Sequence, residues 1–232
     1  MKIKKLNGKV VRVVDTSLTS KEVWVELSEP LGFFAGSFVN VFMDINGQRV
    51  RRAYSVSSAP SEQNTIALTL RLSPGGVMTP LFWEHNMVGT ALELMGPLGL
   101  NTADKMLHKK VYLFAFGVGA GVVKSHAAHF VAEGGRELVV VTGSRSEDEI
   151  LYKDYFNGLA AEHERVSVTH VISQPAKDSD LPKGYIQDHL SGFNFNNADV
   201  YVCGQEAACN DLVKKVQATN PTDCSFFIEG FH

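Results

Sequence analysis

The sequence predicts a β + α/β chain: a six-stranded antiparallel β-barrel over residues 1–103, then a doubly wound, mostly parallel α/β domain over residues 104–232. Two observations carry this. Short runs of alternating apolar and polar residues, separated by turn residues, fill the first part, and strand runs alternating with helical stretches fill the second. Length is the third, since 232 residues accommodate two cores at roughly 100–150 residues per domain.

In the first part the strand runs fall at residues 10–14, 22–27, 38–43, 53–56, 65–72 and 91–94. Short strands at this spacing suggest a barrel or sandwich. Asn46-Gly47 between two runs is a type I′ hairpin signal, Pro74-Gly75-Gly76 closes another strand, and only one short helix, about residues 80–86, fits here. After Asn101 the pattern changes to strands at 111–116, 137–142, 166–172 and 199–203, interleaved with helices near 122–133, 151–163 and 206–219. That alternation argues for a parallel sheet wound on both faces. Polar residues from 101 to 107 separate the two patterns.

Composition narrows the function classes. With 44% hydrophobic residues, 20% charged residues and a net charge of -3, no basic excess recruits a phosphate backbone, so nucleic acid is not an expected partner. Cys203, Cys209 and Cys224 show no CxxC spacing and are too few for a four-thiolate cluster, which suggests a reducing, cytoplasmic protein with no iron-sulfur centre of its own. The basic start, Met1-Lys-Ile-Lys-Lys, runs into a valine alternation rather than the apolar core of an export signal. The longest apolar run, residues 111–123, is interrupted by Gly117, Gly119 and Gly121 and is too short for the ~20 residues of a membrane span.

Several segments carry chemistry. Arg52-Ala-Tyr54-Ser55 combines a guanidinium that can fork onto phosphate oxygens, a flat ring and a hydroxyl, as a dinucleotide with a planar heterocycle would require. In Arg71-Leu-Ser-Pro-Gly75-Gly76-Val77-Met78-Thr79 a strand ends, glycines turn the chain and a threonine opens a short helix, where consecutive N–H groups favour a pyrophosphate. Gly96-Pro-Leu-Gly99 closes the barrel with a rigid turn. In the second part, Phe116-Gly117-Val-Gly119-Ala-Gly121 follows the first parallel strand, at the sheet edge where dinucleotides bind. Each segment alone also fits a structural use: a surface arginine, a capped turn, a tight bend.

Taken in order, Arg-x-Tyr-Ser, Gly-x-x-Ser/Thr and Gly-Pro-x-Gly resemble the ferredoxin-NADP reductase superfamily, and the resemblance spans almost the whole chain. It implies bound FAD, with Arg52 and Arg71 on its phosphate side and Tyr54 along the ring or ribityl chain. Ser55 would lie near flavin N5, and Gly76, Val77, Met78 and Thr79 would hold the pyrophosphate. Gly36 and Phe38 match the family's glycine-aromatic strand entry, with a structural role. Gly117, Gly119 and Gly121 resemble its nicotinamide-nucleotide loop, although Val118 and Val122 depart from the family pattern. Thr142-Gly143-Ser144-Arg145 and the following Tyr152 resemble the stretch that meets the adenosine half, with Arg145 on adenine or on a 2′-phosphate. Gln174 after Ser173, where NADPH-using members often carry a basic residue, tilts the expectation towards NADH. Tyr201-Val-Cys203-Gly204-Gln205 resembles the Cys-Gly-Pro turn, placing Cys203 and Gly204 beside the nicotinamide. The closing segment implies that Glu229 and Phe231 reach back to the flavin, Phe231 covering the ring.

The expectation is therefore an NAD(P)H oxidoreductase in which hydride passes to FAD, with Ser55, Cys203 and Glu229 as catalytic groups. Electrons would leave for an external redox partner: a ferredoxin, an oxygenase or haem protein, or an iron-sulfur subunit. Two alternatives stand beside it, a nucleotide-binding regulatory or assembly subunit and a reductase that uses free flavin as substrate. His126 and His129, three apart on an expected helix, lack a third ligand, so no metal site is expected. Glu147-Asp-Glu149 and Asp178-Ser-Asp180 look like loop or first-turn acids, favourable at helix N-termini and on solvated surfaces.

Overall fold

The computed structural model describes residues 1–231. Six strands, β1 (Lys4–Ser17), β2 (Ser20–Leu27), β3 (Phe38–Ile45), β4 (Gln48–Ser55), β5 (Thr65–Arg71) and β6 (Ala91–Leu98), form one antiparallel sheet ordered β4-β3-β6-β1-β2-β5. A bridge between Val56 and Leu68 brings its two edges together, so the sheet curls into a barrel. Its inward positions, including Leu6, Val10, Val25, Val41, Leu68 and Leu94, make one core.

Strand β1 begins six residues before the expected run. Leu6, Gly8 and Val10 all face inward, but Gly8 hides the alternation because it contributes no side chain. The packing demands it: a Cβ at Gly8 would stand 2.6 Å from Val25 Cγ1. Strand β4 also starts early, at Gln48, carrying exposed Arg49, Arg51 and Arg52. Charge is tolerated there because β4 is an edge strand. Asn46 and Gly47, with φ of 52° and 75°, form the left-handed pair of a type I′ turn between β3 and β4. The helix before β6 shrinks to one turn, α1 (Leu81–Glu84).

Residues 99–109 lead into a five-stranded parallel sheet ordered β11-β10-β7-β8-β9, built from β7 (Lys110–Phe116), β8 (Glu137–Ser144), β9 (Val166–Ile172), β10 (Ala198–Gln205) and β11 (Cys224–Phe231). Helices α2 (Gly119–Glu133) and α3 (Lys153–Glu162) cover one face, where Phe130 and Phe156 join Val111, Leu113 and Tyr201. Helix α4 (Glu206–Gln217) covers the other, with Leu212 and Val216 packed against Phe114 and Val200. The winding reverses between β7 and β10, and in such sheets the crevice beyond the strand ends at the reversal is where ligands bind.

Helix α2 starts three residues before the apolar periodicity does. Its first residue, Gly119, lies so close to β10 that a Cβ would fall 2.2 Å from the Cys203 carbonyl oxygen. At the opposite edge of the sheet, His108 anchors the incoming chain, its Nδ1 2.8 Å from Asp199 Oδ1 and its Nε2 3.3 Å from Asp223 Oδ2. These carboxylates raise the imidazole pKa above its ordinary value.

Candidate functional site

The carboxyl ends of β7, β8 and β10 face the barrel across a cleft of about 1380 Å³. That exceeds the ~300–1000 Å³ of a typical small-molecule pocket. From the barrel come Tyr54, Ser55, Thr69 and Arg71; from the α/β domain come Gly117, Ser144, Arg145, Gln205, Glu229 and Phe231.

One wall is made by residues far apart in the chain. Ser55 Oγ, at the end of β4, donates to Glu229 Oε1 at 2.7 Å, and the Tyr201 hydroxyl donates to Glu229 Oε2 at 2.6 Å. Burial raises the Glu229 pKa, and the bonds from Tyr201 and Ser55 oppose that rise. Tyr54 lies beside this wall with its hydroxyl 3.6 Å from Met78 Sδ, and burial pushes its pKa up to about 12. Its ring is thus neutral at any ordinary pH.

The cleft also carries cations. Among the described residues Arg71 and Arg145 line the cleft without a carboxylate partner, and exposed Arg52 bonds only the Arg51 carbonyl, at 2.7 Å. Glu149 also lines the cleft. Expected as a loop or first-turn acid, it lies in a short turn, and its Oε2 accepts from Thr19 Oγ1 at 2.8 Å and Ser17 Oγ at 3.0 Å, tying the α/β domain to the barrel's first turn.

Several expected site residues stand behind the cleft wall. Cys203 is fully buried, and burial, with Glu229 and Cys209 adding, holds its thiol well above the ordinary range. Gly119 and Gly204 allow the β7–α2 turn to press against β10: a Cβ on Gly204 would meet Phe116 Cβ at 2.5 Å. Gly121 does the same for the domain junction, where a Cβ would lie 2.2 Å from Thr69 Oγ1. Tyr152 is turned into that junction, its hydroxyl 2.6 Å from Thr69 Oγ1 and 3.0 Å from Glu22 Oε1. Arg52, Gly76, Val77, Met78 and Thr79 lie outside the cleft lining; Met78 and Thr79 are buried, and Thr79 Oγ1 accepts from the Ser73 amide at 3.1 Å.

The junction has a polar centre that the sequence did not reveal. Glu22 Oε1 receives Lys124 Nζ at 2.7 Å, Ser57 Oγ at 3.0 Å and the Tyr152 hydroxyl, while Trp24 Nε1 donates to Oε2 at 3.1 Å. Lys124 is also caged by the rings of Tyr152, Tyr155 and Trp24, at 4.6, 5.6 and 5.8 Å. Glu22 opens a strand run whose other glutamate, Glu26, faces solvent, so alternation alone did not separate the two.

Known proteins share this fold. Residues 9–102 match the family described as the oxidoreductase FAD-binding domain, and residues 113–214 match the oxidoreductase NAD-binding domain. The chain thus joins an oxidoreductase FAD-binding domain to an oxidoreductase NAD-binding domain. It is 28% identical over 233 residues to the reductase component DmpP of phenol 2-monooxygenase from Pseudomonas sp. strain CF600, covering 97% of this chain and 65% of that protein. It thus spans less than two thirds of that relative, and 56% of the phenol hydroxylase P5 protein of Acinetobacter pittii. Among solved structures, the Amycolatopsis cytochrome P450 reductase GcoB superposes with a TM-score of 0.88 at 24% identity, over 97% of this chain and 70% of that one. A ferredoxin NADP+ reductase from Neisseria gonorrhoeae, with bound FAD and NADP, superposes with a TM-score of 0.85 at 17% identity, over the whole of both chains. Both superpositions bear on the fold.

Among the described residues no helix is long and apolar enough to cross a membrane, and no cluster of three or more metal-ligating side chains occurs.

Proposed function

We propose that this chain is a flavoprotein reductase that takes hydride from NAD(P)H onto bound FAD and passes electrons to an external redox protein. The observation that carries the reading is the cleft between barrel and parallel sheet, lined both by a hydroxyl–carboxyl pair and by arginines without carboxylate partners. Free guanidinium groups suit diphosphate ligands, and the neutral Tyr54 ring suits a flat heterocycle. FAD supplies the capacity to accept a hydride and release single electrons.

The protein's part is positioning. Arg52 and Arg71 would take phosphate oxygens of FAD, Tyr54 would pack on its ring, and Gly76 to Thr79 would offer backbone donors. Ser55 and Glu229 would hold a proton beside the reacting ring, while Phe231 would exclude water from its face. Gly117, Ser144 and Arg145 would receive the nicotinamide dinucleotide. Gly119, Gly121, Tyr152, Cys203 and Gly204 would act from behind the wall, by allowing this close packing. The division into domains at residues 103 and 104 and a reducing, cytoplasmic setting belong to the same reading. So does the acceptor, for which the oxygenase reductase components among the relatives suggest an oxygenase or ferredoxin partner.

The test is the visible spectrum of the purified protein before and after anaerobic NADH or NADPH. Flavin bands that survive dialysis and bleach with nucleotide are expected. Bands that persist with both nucleotides would favour a regulatory subunit, and a colourless protein active only with added flavin would make flavin a substrate.

NADH is the favoured donor, on Gln174 lining the cleft where a cation would be needed for a 2′-phosphate. Arg145 is then left to adenine or ribose. Arg145→Ala is expected to raise KM for both nucleotides by a similar factor, roughly tenfold for loss of one contact worth ~1.4 kcal/mol. A selective loss of NADPH affinity, read by initial rates with each donor, would overturn the NADH preference.

A further inference from the structure

We propose that Tyr201 is a positioning residue for Glu229, fixing one carboxyl oxygen from beneath so that the other is presented to Ser55 at the cleft wall. The inference rests on the reading of Ser55 and Glu229 as the pair facing the reacting ring.

The two hydroxyls approach one carboxyl group from different domains. Tyr201 comes from β10, between β11 and β7 of the parallel sheet, and Ser55 from β4 of the barrel, and each holds one oxygen, at 2.6 and 2.7 Å. In the β10–β11 register Glu229 stands opposite Cys203, so Tyr201 reaches it along the diagonal, two residues back. Tyr201 has no exposed surface, and its ring packs against His126 with centroids 4.2 Å apart. The ring is wedged, and its hydroxyl direction is set by the core rather than by solvent.

What surrounds the carboxyl group explains why this bond matters. Tyr201 and Cys203 face it from β10; Cys209 from α4 lies 4.0 Å from the Glu229 carbonyl; Glu206 packs against Gly230; and His126 stands behind Tyr201. None of these is a cation at neutral pH, for burial lowers the His126 pKa to about 3. The ionised carboxylate is therefore supported by two hydroxyl donors and no positive charge. Removing either donor leaves a poorly solvated anion with half its support, and the carboxyl group then keeps its proton to a higher pH.

Tyr201→Phe deletes the donor and keeps the ring. With ¹³C-carboxyl glutamate in the chain, and the Glu229 resonance assigned by its loss in Glu229→Gln, the Tyr201→Phe midpoint is expected to rise by about one pH unit, a tenfold change in proton affinity. Ser55→Ala is expected to move it the same way. In the flavin-loaded protein, the pH profile of reduction by nicotinamide nucleotide is expected to shift with the midpoint, leaving KM unchanged. An unmoved midpoint in folded Tyr201→Phe overturns the proposal. If that variant does not fold, 3-fluorotyrosine at position 201 serves instead: its more acidic hydroxyl is a stronger donor and is expected to lower the midpoint, and no change overturns the proposal.

The two layers separate cleanly. A midpoint that moves in Tyr201→Phe while Glu229→Gln reduces flavin at the full rate keeps the positioning role and removes Glu229 from the reaction. A slow Glu229→Gln with an unmoved Tyr201→Phe midpoint does the reverse.

Discussion

Between about pH 7.5 and pH 5 one side chain, His126, is expected to remove about 2 kcal/mol of folding stability. His126 sits on α2 with no exposed surface, and neither ring nitrogen has a hydrogen-bond partner. A Cβ on Gly36 of the barrel would lie 2.8 Å from its Nε2, so the ring is pinned between the two domains. Burial lowers its pKa from the ordinary 6.5 to about 3, with the charge of His129 adding.

The sign follows from where protons bind. Above pH 6.5 the imidazole is neutral in both folded and unfolded chains, and no stability is at stake. As pH falls from there towards about 3, only the unfolded chain takes up the proton, and stability drops by about 1.4 kcal/mol per unit. Other histidines contribute: His170 is also lowered by burial, while His108, raised by Asp199 and Asp223, works in the opposite sense. The decisive quantity is the difference in pH slope between wild type and His126→Leu, measured by urea unfolding. The variant should be flatter by about one proton; parallel slopes would mean that the ring is hydrated or paired in solution.

Lys124→Met is expected to cost about 3 kcal/mol, the low end of what breaking a buried ion pair costs. Lys124 and Glu22 have side chains only 15% and 6% exposed, so the variant leaves a carboxylate without its cation inside the domain junction. Three further donors, from Ser57, Tyr152 and Trp24, keep the loss from being larger. The cost comes from the charge left behind, so Glu22→Gln in the same chain should restore much of it. Chemical denaturation of the two single variants and the double variant measures this. A double variant that loses the sum of both single losses would show that the pair is not coupled.

How legible the sequence was depended on whether a residue's use is local. The hairpin at Asn46-Gly47, the parallel strands of the second half and the glycine turn after β7 all came from spacing and turn chemistry, which act over a few residues. Strand β1 was seen only in part because Gly8 removes the apolar signal where the barrel is tightest. Ser55 and Glu229 were each read from short motifs, yet their 2.7 Å contact joins positions 174 apart in the chain. The role of Tyr201 was invisible, since a tyrosine inside an apolar strand run reads as core until its hydroxyl is seen to have a partner. Glycines carry a second, non-local use that spacing does not show. Gly119 and Gly121 read as a nucleotide loop and Gly204 as a turn beside the nicotinamide, and at all three backbone or side chain from another element also leaves no room for a methyl group.

The contact of Gly121 with Thr69 bears on how such a chain can be rebuilt. Two-domain chains of this kind invite recombination, a barrel from one protein joined to an α/β domain from another. Here the seam works as a lock cut for one key: any side chain at position 121 would occupy the place of the Thr69 hydroxyl, which in turn holds Tyr152 and, through it, Glu22. Parts can be exchanged across this seam only as matched sets, with residues 22, 69, 121, 124 and 152 travelling together whichever side of the cut they fall on.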